Sequence, residues 1–193
     1  MSTWQAVVVD GREGALRAFI AGFATDHGAT PGSVIVGGDV GLDGGSVGEW
    51  LLELVGKGHH VVLAPARVAD ELVDAIGRAG DAVGLRVERT HPVAGASFVM
   101  RLETFSREVA GTVRAGLETL PPGVRVEDRH EEEQVSAEGH GVELYAPVHD
   151  YRFALSGRVT GPVGGVVEVR TRLAAVEAMS LEPLRLIEAD RPA

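Results

Sequence analysis

Three aspartates stand where strands should end. Asp10 follows the apolar run Ala6 to Val9, and Asp39 and Asp43 follow Val34 to Val36. Mg²⁺ takes one or two carboxylates and completes its shell with water and substrate phosphate. With such an ion in place, Asp10, Asp39 and Asp43 would serve phosphoryl transfer or hydrolysis. Aspartate is also a common turn former and helix cap, and Asp10 with Glu13 has the spacing of a capping box.

The stretch behind Asp39 points to a ligand more than to a reaction. Gly37, Gly38, Gly41, Gly44 and Gly45 lie between an apolar run and an amphipathic pattern, so the order is strand, loop, helix. Ser46 and Glu49 have capping-box spacing, which starts a helix near Val47 and turns its free amides toward the glycines. Such a helix end is an anion site. The loop has no Lys or Arg, so it is not a P-loop, and its glycines miss the GxGxxG spacing. The expected ligand is a small anion, a nucleotide included, held by Asp10, Gly37, Gly38, Gly41, Gly44, Gly45 and Ser46.

Other constellations are thinner. His130, His140 and His149 lie near Glu131, Glu132, Glu133, Glu143 and Asp150, a donor set suited to zinc or iron. No HExxH spacing is present, and acidic runs usually face solvent. His59 and His60 open a strand, so their side chains point to opposite faces. There is no cysteine and no GxSxG motif, which removes thiolate chemistry and the usual serine elbow. Tyr145, Tyr151 and Phe153 could line a pocket, although a chain with 5% aromatics needs them in its core.

Residues 7–18, VVVDGREGALRA, resemble the opening of universal stress proteins, and residues 34–65 resemble their closing glycine loop, helix and strand. The resemblance implies an ATP site with Asp10, Gly38, Gly41 and Ser46 in binding positions. It leaves out the long middle of that family, where this chain has only residues 25–33.

The elements that must position these residues follow from apolar periodicity. Strands are expected over residues 5–9, 34–36, 59–64 and 85–89, with helices between them. Leu16, Phe19, Ile20 and Phe23 form one helical stripe, and Val68, Leu72, Val73 and Ile76 another. This alternation predicts an α/β, Rossmann-like domain over 1–92, with a mostly parallel sheet and helices on both faces. His91 to Gly95 breaks the rhythm. Residues 96–193 read as an α+β domain with a largely antiparallel sheet. Ser106 caps its helix, and residues 151–155 and 167–173 form a hairpin whose edge is open to pairing in a homo-oligomer. No internal repeat is visible.

Composition bounds the partners. The 193 residues carry a net charge of −10, which argues against nucleic acid. No apolar run reaches membrane-span length, and the start lacks a secretory pattern, so a cytoplasmic protein with no membrane partner is expected. Three function classes remain: a small-anion-binding or regulatory protein, a Mg²⁺-dependent phosphoryl-transfer or hydrolytic enzyme, and an assembly protein without a small ligand.

Overall fold

The computed structural model describes residues 4–27, 35–36, 40–41, 57–135 and 151–188. The strands are β1 (Trp4–Asp10), β2 (Ile35–Val36), β3 (Val40–Gly41), β4 (His60–Pro65), β5 (Arg86–Thr104), β6 (Arg125–Val135), β7 (Tyr151–Pro162), β8 (Met179–Leu181) and β9 (Leu184–Glu188). The helices are α1 (Glu13–His27), α2 (Ala66–Val83), α3 (Arg107–Glu118) and α4 (Val163–Ala174).

The nine strands form one sheet in the order β2-β4-β1-β5-β7-β6, with β8 and β9 on β5 and β3 on β9. All pairings are antiparallel except the two-residue contact of β3 with β9. The expected parallel, Rossmann-like sheet is therefore overturned. β1 and β2 do run in the same direction, but β4 lies between them and is antiparallel to both. Strand–helix–strand alternation sets the direction of successive strands and leaves their adjacency open. A strand buried on both faces reads the same in either arrangement.

The topology instead repeats. Setting aside β3, and residues 42–56, which lie outside the described residues, β1-α1-β2-β4-α2-β5 follows a β-α-β-β-α-β order, with strands lying second, third, first, fourth. β5-α3-β6-β7-α4 followed by β8 and β9 repeats it, with the same strand order. Each is a split βαβ, or ferredoxin-like, unit. The 19-residue β5 serves both: its first half pairs with β1 and its second half with β7, β8 and β9. The boundary expected between residues 92 and 96 falls inside this strand. There Val93 pairs with Glu188 and Gly95 with Ile187, leaving Ala94 as an extra residue.

Two apolar clusters hold the units together. Val7, Val9, Val62 and Ala64 pack under α1 and α2 with Leu16, Ile20, Phe23, Leu72 and Ile76. Ala6, Val8, Val61 and Leu63 point to the opposite face and join the larger core of β5, β7, α3 and α4. Period-two alternation places both sets on one sheet. Leu184 and Leu186 of β9 enter the same core. Val36 pairs with Val62 and Val40 with Leu184. Four Cα steps span at most about 15 Å, so the sheet curls until its β4 and β9 edges approach.

The segment 167–173, expected as the return strand of a hairpin, belongs to α4. Val163, Val166, Val167 and Leu173 are buried at helical spacing, and Pro162 sits at the cap before them. Strand propensity largely reports packing on a pleated surface, and here the stripe packs as a helix. The helix capped by Ser106 and the strand over residues 151–155 form as read. Ser106 caps α3 by accepting from the Val109 amide at 3.3 Å. On β7, residues 151, 153 and 155 are buried while 152, 154 and 156 are half-exposed.

Candidate cation site at the end of β1

The last turn of sequence in β1 brings three side chains with metal-ligating atoms to one place. Asp10 is the final residue of β1. Val9 pairs with His60 on β4, so His59 stands just beyond that strand beside Asp10. On the other side, Val8 pairs with Arg89 and Val9 with Val87, and Glu88 is left without a partner in the ladder. A bulge of this kind bends the strand and re-aims a side chain. The donor atoms of Asp10, His59 and Glu88 all lie within 4.8 Å of one another.

Asp10 is exposed, and His59 and Glu88 are half-buried. Helix α1 begins at Glu13, and the Leu16 amide donates to the Arg12 carbonyl at 3.0 Å. Arg12 thus holds the cap position, and the Asp10 carboxylate stays at the sheet edge. Arg86 pairs with Asp10 in the ladder. Its Nε donates to Glu88 at 2.7 Å, and its Nη2 lies 2.5 Å from the same carboxylate oxygen. The hydrogen bond to Glu88 is the main reason the Arg86 pKa is raised, with Asp10 adding a smaller push.

One imidazole and two carboxylates suit Zn²⁺, Mn²⁺ or Fe²⁺ better than Mg²⁺, which prefers an all-oxygen shell. Two ligands at about 2.1 Å from one ion are at most about 4.2 Å apart. The three side chains would close slightly around an ion, and Glu88 would loosen its contact with Arg86. The donor set could hold a divalent cation, and nothing in it singles out magnesium.

Of the residues expected at the site, Asp10 is in this cluster. Gly41 lies in β3, paired with Arg185 of β9. Gly37, Gly38, Asp39, Asp43, Gly44, Gly45 and Ser46 lie outside the described residues, as do Tyr145, His140 and His149. β2 runs in the direction of β1, and the next described residues, Val40 and Gly41, pair with Leu184 and Arg185 of β9. His59 and Glu88 were missed as partners of Asp10. In the sequence His59 reads with His60 as the start of a strand, and a bulge at Glu88 leaves no mark in the apolar pattern.

The acidic run has a structural use on one of its faces. Glu131 and Glu133 of β6 face α3, where Arg114 lies 2.8 Å from Glu133 and 3.7 Å from Glu131. The Arg114 guanidinium also sits 4.4 Å over the Phe153 ring. This hydrogen bond holds the Glu133 carboxyl below the ordinary carboxylate range. Burial raises the Tyr151 phenol, with Glu133 adding to the effect. Tyr151 and Phe153 are buried in the core.

Among the described residues, no helix is long and apolar enough to cross a membrane. No protein-family model and no curated protein match the chain. The likeness of residues 7–18 and 34–65 to universal stress proteins thus stays a likeness of two short stretches. Among solved structures, the chain is similar to one described as an unknown protein from Galdieria sulphuraria. The identity is 16%, over 96% of this chain and 98% of that one, with a TM-score of 0.30. Nothing is carried over from so distant a likeness.

Proposed function

We propose that the chain is a non-catalytic, regulatory protein that binds a small anionic ligand, such as a nucleotide, through a divalent cation. Asp10, His59 and Glu88 would hold the cation. The observation that supports this is the convergence of their donor atoms, from β1, from β5 and from the residue before β4, to within 4.8 Å. Residues of the Gly37 to Ser46 stretch other than the β3 pair Val40 and Gly41 would offer backbone N–H groups to the anion. A metal between them offsets the repulsion that Asp39 and Asp43 would exert on a bare phosphate.

Isothermal titration with Mn²⁺, Zn²⁺ and Mg²⁺, each followed by ATP, tests this reading. One ion per chain is expected, bound tighter for Mn²⁺ or Zn²⁺ than for Mg²⁺. Asp10→Asn, His59→Ala and Glu88→Gln should each weaken it, about tenfold or more. ATP should bind more tightly to the loaded protein and remain unhydrolysed. Absence of metal binding, or binding that survives all three substitutions, overturns the site. Steady ATP turnover that Asp10→Asn abolishes would make the protein an enzyme.

A further inference from the structure

The helix-free face of the second unit carries a cleft of about 400 Å³. Four polar residues cross it in one row, because they pair directly from strand to strand. Ser180 on β8 pairs with Arg101 on β5, Arg101 with Ser156 on β7, and Ser156 with His130 on β6. All four line the cleft. At about 4.8 Å between strands, the row is about 14 Å long. Ala154 and Ala178 also line the cleft, and their small side chains leave its volume open.

A second bulge places His130 in the row. The β6 register shifts between Glu127 and His130, and Asp128 there has a φ of 52°. Glu127 pairs with Arg158, so unbroken pairing would set Arg129 opposite Ser156 and turn His130 to the helix side. Asp128 is the one non-glycine residue with positive φ among those described, a backbone conformation that side chains disfavour. The chain adopts it where it brings the imidazole onto the open face.

The row is rich in donors. Arg101 offers a planar fork, the two serines offer hydroxyls, and His130 offers a ring N–H. The nearest carboxylates compete weakly. Glu182 stands 3.8 Å from Arg101, whose side chain is 71% exposed. Glu103 lines the cleft and pairs with Ala154, its carboxylate held by Arg152 at 2.8 Å. A phosphoryl group presents several oxygens that accept from such donors at once. It fills only part of a cleft this size, and the remainder lies over Ala154 and Ala178.

We propose that this cleft binds a phosphate monoester with a small organic body. The phosphoryl group lies across Arg101, Ser156 and His130, and the organic part rests over Ala154 and Ala178. The site is separate from the Asp10 cluster and does not depend on it.

The test is an amide-resolved NMR titration of the full chain with phenyl phosphate in EDTA, with phenol as the uncharged control. Saturable shifts at Arg101, His130, Ser156 and Ser180 are expected, and none with phenol. Arg101→Gln and His130→Gln, both at exposed positions, should each weaken binding about tenfold. Asp10→Asn should leave it unchanged. The proposal is overturned if millimolar phenyl phosphate gives no saturable shifts, or if the shifts survive Arg101→Gln. Loss of binding in Asp10→Asn would place the anion at the cation edge and overturn it too. Inorganic phosphate binding as tightly as phenyl phosphate would overturn the assignment to a monoester.

Discussion

Gly95 of β5 lies against the carbonyl of Gly161 in β7: a β-carbon on Gly95 would come within 2.9 Å of that oxygen. Gly161 is equally confined on its other side. A β-carbon there would meet the Gly123 carbonyl at 2.7 Å and the Val124 Cα at 2.8 Å. Three stretches of backbone therefore crowd together where the second unit begins, and the sheet needs glycine to let them.

Gly161→Ala should accordingly destabilise the fold by about 2–4 kcal/mol, since both neighbours are backbone and its φ of 153° is rare for other residues. Urea unfolding reads this directly. Gly77→Ala, in α2 with open space around it, should instead be neutral or slightly stabilising. Equal effects from the two changes would contradict the packing described at Gly161.

Removing the guanidinium that competes for Glu88 should help a metal. Arg86 is a surface partner, with its side chain 75% exposed, so Arg86→Gln should change stability by less than about 1 kcal/mol. Metal affinity measured by calorimetry should rise several-fold, because Glu88 no longer exchanges one cation for another. A fall in affinity would mean that Arg86 supports the cluster instead of opposing it.

The Arg114–Glu133 contact predicts a sign in acid. The Glu133 carboxyl is held below its ordinary value in the folded protein, so its contribution to stability is present above the unfolded pKa. That contribution is lost as pH falls through the lower folded pKa. Carbon-detected NMR should show Glu133 titrating below the exposed glutamates, and Arg114→Ala should move it up toward them. A midpoint unmoved by Arg114→Ala would remove the hydrogen bond as the cause.

Neighbours on β7 should differ sharply. Phe153 is fully buried, so Phe153→Ala should cost about 3–5 kcal/mol. Arg152 points to the other face and bonds Glu103 at 2.8 Å with its side chain 40% exposed. Arg152→Ala should cost less than about 1 kcal/mol, read from the same thermal or urea melts.

Individual elements were legible in the sequence, and their arrangement in the sheet was not. The valines of residues 7–9 and the stripe of Leu16, Ile20 and Phe23 announce their elements, because burial imposes a period that composition alone would not. Ser106 announces its helix by its own hydroxyl. What stayed hidden depends on contacts between distant segments. The position of β4 between β1 and β2 leaves no trace in any local pattern, and alternation without that contact reads as a parallel sheet. In α4, Val167 and Val169 satisfy the strand period, while Val163, Val166 and Val167 satisfy the helix period, so only packing decides. Asp10 could be placed from the sequence because it ends a strand. Glu88 was not, because the register slip that exposes it exists only when β1 and β5 are paired.

That β5 is shared has a genetic consequence. Because a strand alternates faces with every residue, the count of residues between its two halves sets on which side the second unit places its helices. Deleting Ala94 would remove the extra residue and leave Val93 and Ala96 in unbroken alternation. Deleting one codon from Ser97 to Val99 would instead change the parity, and Met100 and Leu102 would then turn away from the helices they now meet. A loop between units would absorb such a slip, and a continuous strand transmits it whole. In-frame loss of one residue here should therefore be far more damaging than loss of two, an asymmetry that deletion scanning of this segment would expose.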